Sequence, residues 1–174
     1  MTAVIFDTET TGLLLPSLAD LARQPYILEV GAVIVKCGSI VAELSQVLSV
    51  PVLVTAEMTK YNGITQLDTV GKPSFKDFLP QLAKFFKGSQ ILFAHNAPFD
   101  TGMLRNELKR SGQPKFPWPK EIVCTVAEYT PIFGYRPSLK VLHQKILGVP
   151  LEQKHRALDD VKALYSILRK DGVL

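Results

Sequence analysis

A chain of 174 residues, 47% hydrophobic and 21% charged, is long enough to bury a core and too apolar to remain disordered. Its net charge of +4 admits a polyanionic partner but includes no heavily basic tail. The most apolar run, ILEVGAVIV, is short and interrupted by Glu29, so no bilayer-spanning segment is expected. The N-terminus lacks a charged-then-apolar leader. A single domain over 1–174, cytoplasmic and without membrane contact, is the expectation.

In chain order, AVIF (3–6), ILEVGAVIV (27–35) and IVAELSQVLSV (40–50) predict three strands, with CGS (37–39) the turn that pairs the last two antiparallel. Residues 13–26 read as a loop or broken helix. TAEMTKYNGI (55–64) is a short helix closed by Asn-Gly. SFKDFLPQLAKFF (74–86) is a longer one, with Phe75, Phe78, Leu79, Leu82 and Phe86 on one face and Pro80 an irregularity. QILFAHN (90–96) is a buried strand leading into a helix over 98–112, with Pro98 at its start and Gly112 at its end. EIVCT (121–125) is a fifth strand, and helices follow over 125–131, 138–147 and 157–170. This order predicts a mixed-sheet α/β layer fold. Cys37 and Cys124 lack metal-finger spacing and are read as small buried side chains in a reducing compartment. Among the charge pairs Lys109-Arg110, Lys154/Arg156 and Arg169-Lys170, a solvated helix face is the expectation for two of the three.

Misplaced acids carry the chemistry. VIFDTETTG sets Asp7 and Glu9 one residue apart, and strand side chains alternate, so Ile5, Asp7 and Glu9 share a face. The alternative is a strand that finishes at Phe6 and leaves Asp-Thr-Glu as a solvated turn. Along the last helix, at about 100° per residue, Val161, Leu164, Ile167 and Leu168 form an apolar sector. Asp159 falls opposite, whereas Asp160 falls inside that sector, where an acid needs a compensating partner such as a structural salt bridge. Asp100 sits in the first turn of the helix after AHN, which a helix dipole favours but which is also where ligands bind in α/β sheets. Glu29 is a further buried acid, with no expected role beyond a structural hydrogen bond.

Four carboxylates, Asp7, Glu9, Asp100 and Asp160, on one rim suit hard cations such as Mg²⁺ or Mn²⁺. Two such ions would activate a water and stabilise the leaving oxygen of a phosphoryl displacement. Of the three histidines, His143 reads as helix-surface and His95 as structural. His155 would be about 140° out of phase with Asp160 on one helix, so it belongs to the entering loop. An imidazole titrating near neutrality there suits a general base.

FDTETTG, HNAPFD and HRALDD resemble, in order, the three motifs of the DnaQ-like, DEDDh-type 3′→5′ exonucleases: Asp-x-Glu, a late Asp after His-Asn, and His-x(4)-Asp. The resemblance runs from residue 4 into the last helix. It implies an RNase H-like fold, a five-stranded mixed sheet with helices on both sides. It also implies a metal-dependent exonuclease that releases nucleoside 5′-monophosphates from a 3′ end, in proofreading, repair or nucleic-acid turnover. Asp7, Glu9, Asp100 and Asp160 would hold two divalent cations, Mg²⁺ or Mn²⁺, with Asp7 touching both, and His155 would take a proton from the attacking water. Thr10, Thr11 and Gly12 would offer backbone amides and a tight turn to the terminal nucleotide. Leu13 and Ile64 would be apolar contacts to the last bases, and Asn96 and Phe99 would line the same pocket. Asn62 stands where many members place a His before Gly-Ile-Thr.

Lys154 and Arg156, beside His155, are candidates for phosphate contacts, with solubilising charge the equal alternative. The partner implied is a DNA or RNA 3′ end, single-stranded by preference; a polymerase and a second copy of the chain are the further partners considered. Few residues follow Asp160, so a stand-alone enzyme or a subunit is expected. The rival reading is a catalytically idle nucleic-acid-binding or polymerase-tethering module on the same fold, although four acids without cations would repel phosphates. A purely structural α/β domain is a third reading.

Overall fold

The computed structural model describes residues 1–16, 19–152 and 155–174. Five strands form one sheet: β1 (Thr2–Thr10), β2 (Ile27–Lys36), β3 (Ser39–Val47), β4 (Ile91–Ala94) and β5 (Glu121–Cys124), in the order β3-β2-β1-β4-β5. The first three make an antiparallel meander; β4 runs parallel to β1, and β5 parallel to β4. Parallel pairing requires crossovers, and helices supply them. They are α1 (Ala56–Asn62), α2 (Gln66–Thr69), α3 (Phe75–Phe86), α4 (Ala97–Arg110), α5 (Thr125–Phe133), α6 (Leu139–Leu147) and α7 (Ala157–Lys170). Among the described residues no helix is long and apolar enough to cross a membrane.

Strand alternation decides which helix meets which residue. Val4 and Phe6 of β1 pack with Phe78, Leu82 and Phe86 of α3 and with Met103 and Leu104 of α4. Ala3 and Ile5 point the other way, into Leu139 and Leu142 of α6 and Leu164, Ile167 and Leu168 of α7. The stripe expected along residues 74–86 is buried as a unit, with Pro80 inside the helix. Asn-Gly does close α1: Gly63 is left-handed at φ 69° and its amide donates to the Thr59 carbonyl. The short α2, not anticipated, is nucleated by Thr65 and Asp68, each capping the other's backbone.

Two expectations are corrected. Cys37 is exposed, at φ 49° in the β2–β3 turn, and Cys124 is half-buried where β5 meets α5; both are free. Arg110 is not on a solvated face. It donates to the carbonyls of Pro25 (2.9 Å), Leu21 (2.9 Å) and Gln24 (2.5 Å) and stacks over Tyr26 at 3.8 Å. Residues 21–26, which include a 3-10 turn at Leu21–Arg23, are thereby pinned to α4.

The first turn of α7 lies directly on β2 at Gly31. A Cβ there would stand 2.3 Å from the Ala157 carbonyl carbon and 2.4 Å from the Leu158 nitrogen. Backbone cannot yield as a flexible side chain can. Gly31→Ala is therefore expected to cost about 1–3 kcal/mol by overpacking, read as a lower urea midpoint at unchanged m-value.

Candidate active site

β1 continues through Thr10, so the solvated-turn alternative does not hold and Asp7 and Glu9 extend the Ile5 face toward α7. Thr8 between them turns to the opposite face. Its amide and its hydroxyl both donate to Asp100 Oδ1, at 3.0 and 2.8 Å. The first turn of α4 is thus tied to the end of β1. From the other side α7 delivers Asp160, which is 8% exposed despite its charge. One carboxylate oxygen each from Asp7, Glu9 and Asp160 lie within 4.8 Å of one another.

Electrostatics follow from that crowding. Burial, then Asp100, Glu9 and Asp160, push Asp7 well above the ordinary carboxylate range. Glu9 is pushed up to about 8 by burial and by Asp160, Glu29 and Asp100, against a smaller opposing pull from Arg156. Burial lifts Asp100 to about 7 although the Thr8 donors favour its charged form. Close carboxylates lifted in this way hold protons that a cation would displace. All-oxygen donors from three chain segments fit a hard divalent ion.

His155 is exposed at φ 49° on the loop before α7, outside the helix as its phase requires. His95 engages both ring nitrogens, Nδ1 with Thr125 Oγ1 and Nε2 with the Pro137 carbonyl, each at 3.2 Å. Burial lowers its pKa to about 4, so it is a neutral structural link. His143 reaches the Val149 carbonyl with Nδ1 at 2.9 Å.

Beside Glu9 opens a cavity of about 480 Å³ lined by Thr10, Thr11, Gly12, Leu13, Thr55, Glu57, Met58, Tyr61 and Asn62. Leu13 and Tyr61 are 81% and 71% exposed. The turn holds itself: Thr10 Oγ1 donates to the Gly12 carbonyl at 2.7 Å, and Thr11 Oγ1 accepts from the Tyr26 amide at 2.9 Å. Asn62 spends its amide on the chain, Nδ2 donating to the Thr10 carbonyl at 3.3 Å and Oδ1 accepting from the Ile64 amide at 3.0 Å. Ile64 is 1% exposed and packs with Leu28 and Val54, away from the lining. Its side chain supports the cavity wall from behind. Asn96 and Phe99 are also not among the lining residues: Asn96 Oδ1 accepts from Arg136 at 3.4 Å, and Phe99 packs against the α3–α4 core.

Arg156, its side chain 45% exposed, turns its guanidinium toward the sheet. Its guanidinium forms a two-pronged pair with Glu29, Nε to Oε2 at 2.9 Å and Nη2 to Oε1 at 2.7 Å. Lys154 lies outside the described residues. Sequence reasoning did not single out this pair, nor Thr55, Glu57, Met58 and Tyr61 of the cavity. The one available signal for the pair was Glu29 itself, an acid in an apolar strand.

Comparison with known proteins agrees with this geometry. The exonuclease family model of the RNase T type matches residues 4–168. DNA polymerase III PolC-type of Clostridium perfringens is 35% identical over 171 residues, covering 95% of this chain and 11% of that protein. A bifunctional exonuclease/endonuclease protein of Mycobacterium tuberculosis is 29% identical over 96% of this chain and 26% of its own length. The chain therefore spans a minor part of these two relatives. DNA polymerase III subunit epsilon of Treponema pallidum is 34% identical over 163 residues, 90% of this chain and 70% of that subunit. Among solved structures, exonuclease X in complex with 5′ overhanging duplex DNA aligns with a TM-score of 0.67 and 26% identity over 98% of this chain and 93% of that one. The nuclease domain of 3′hExo, a DEDDh family member, aligns with a TM-score of 0.78 and 17% identity over 97% and 90%, which speaks for the fold. The chain belongs to the exonuclease family, carrying the DEDDh motifs on an RNase H-like fold.

Proposed function

We propose that this chain hydrolyses the terminal phosphodiester bond at a nucleic-acid 3′ end and releases a nucleoside 5′-monophosphate. The observation that carries the reading is the meeting of Asp7, Glu9 and Asp160 oxygens within 4.8 Å, beside a cavity of about 480 Å³. These three would hold one divalent ion, and Asp100 with Asp7 a second. When bound, Mg²⁺ or Mn²⁺ would acidify a water and offset the charge gathering on the scissile phosphate. His155, exposed at the mouth of α7, takes the proton of the attacking water. Leu13 and Tyr61 flank the terminal base, whose apolar face they meet without regard to sequence. Thr10, Thr11 and Gly12 form the turn against which the nucleotide rests.

Relatives of 34–35% identity that are parts of DNA polymerase III support a DNA 3′ end as the substrate and proofreading beside a polymerase as the setting. Two free cysteines, one exposed, suit the reducing cytoplasm, where we place it.

Asp7→Ala, Asp100→Ala and Asp160→Ala are each expected to abolish Mn²⁺-dependent digestion while thermal unfolding stays cooperative; wild-type rates in any of them remove that residue from the ligand set. His155→Ala should lower kcat about 10²–10⁴-fold with KM nearly unchanged. A 5′-labelled oligonucleotide should give a ladder of shortening labelled products, and early release of a labelled mononucleotide would reverse the polarity.

The raised carboxylates also set a pH dependence. Glu9 and Asp100 titrate at about 8 and about 7 in the folded chain, against ordinary values of 4.5 and 3.8. Between those limits the folded chain keeps protons that the unfolded chain has released, so metal-free stability falls as pH rises. Metal requires the deprotonated ligands. Melting in EDTA should therefore drop from about pH 5 to about pH 8, and Mn²⁺ should raise Tm more at the higher pH. An equal Mn²⁺ gain at both would contradict the assignment.

A further inference from the structure

Glu29 stands directly opposite Glu9 in the β1–β2 ladder, and paired strand residues project from the same face. A fifth carboxylate, 1% exposed, therefore adjoins the acidic cluster. Its oxygens are saturated. Oε1 accepts from Arg156 Nη2 at 2.7 Å and from Ser45 Oγ at 3.4 Å; Oε2 accepts from Arg156 Nε at 2.9 Å and from the Ala157 amide at 3.2 Å. Arg156 in turn accepts, at its carbonyl, the amides of Asp159 (2.9 Å) and Asp160 (3.1 Å). One residue thus grips the sheet with its side chain and Asp160 with its main chain. His155, held left-handed at φ 49°, is its immediate neighbour.

We infer that Glu29 and Arg156 form a positioning clamp that fixes the start of α7, and through it His155 and Asp160, against β2, while keeping Glu29 out of the metal-binding set. The inference rests on the exonuclease reading above. A flat guanidinium fork can hold both carboxylate oxygens at once, and an ammonium cannot. Removing Arg156 alone leaves the buried Glu29 carboxylate without its counter-charge, whereas removing Glu29 alone frees Arg156, 45% exposed, from its anchor on the sheet. The clamp also assigns Arg156 a role different from gripping phosphate, and the two make opposite kinetic predictions.

The test compares Glu29→Gln, Arg156→Gln and the double variant with wild type in the full chain. Each single change should lower kcat about 10–100-fold, as loss of a partner behind a metal ligand does, with KM nearly unchanged. The double variant should be no worse than the poorer single one, since the two act as a unit. In the metal-free protein, the Ala157 and Asp160 amides should exchange hydrogen about tenfold faster while Val33 in the sheet keeps its protection. An effect confined to KM, with a shallower salt dependence, would make Arg156 a phosphate contact and overturn the clamp. Additive losses or unchanged exchange would also overturn it. Should a single variant not fold, the double one leaves no lone buried charge; unchanged Ala157 exchange in it is then sufficient to reject the clamp. A wild-type protein that cleaves no nucleic acid would refute the exonuclease reading instead, and the exchange measurement would still judge the clamp.

Discussion

Repulsion among carboxylates at the end of β1 is the constraint around which this molecule is organised. Asp7 and Glu9, half-buried, meet the buried Asp100, Asp160 and Glu29 here, and the neighbouring carboxylates raise the cost of ionising Asp7 and Glu9. The fold offsets part of that cost itself. Thr8 gives Asp100 two hydrogen bonds, and Arg156 neutralises Glu29. Asp100 and Asp160 both sit in the first turn of a long helix, where the aligned peptide dipoles favour negative charge. The remainder is what the proposed cations would offset, so affinity for metal and lowered stability without it would have one origin.

The sheet acts as a partition. Alternation along β1 sends Asp7 and Glu9 to the side of α7 and Thr8 to the side of α4. Acids separated by more than ninety positions can thus approach one strand end from two layers without competing for space. Gly31 permits the closeness on one side, since any side chain there would collide with the backbone of α7. Precise placement comes from rigid elements, while the cavity beside Glu9 is built from a turn and the small helix α1.

Features with short-range causes were legible in the sequence. The α3 stripe, the Asn-Gly closure of α1 and the parity of Asp7 with Glu9 depend on local spacing and appear as expected. So does Asp160, whose position inside an apolar sector marked it before any partner was visible. What escaped was decided by distant contacts. Glu29 and Arg156 are 127 residues apart, and nothing in either neighbourhood names the other. Arg110 looks like an ordinary helix-end charge until the carbonyls of residues 21–25 surround it. Cys37 reads as buried from its residue type, although the turn expected at 37–39 is what exposes it. Asn62 does line the cavity, but Ile64 in the same segment faces inward, because which way a side chain turns after a helix cap depends on the strand packed behind it.

The lobe between β1 and β2 is pinched at its neck. Thr11 and Tyr26 exchange two hydrogen bonds there, the Thr11 amide to the Tyr26 carbonyl and the Tyr26 amide to Thr11 Oγ1, both at 2.9 Å. That closure holds the entry to β2 beside the end of β1, while Arg110 ties residues 21–25 to α4. Loop-closure entropy grows only slowly with length, so with the neck closed and the Arg110 anchor kept, the chain between them can change length at small entropic cost.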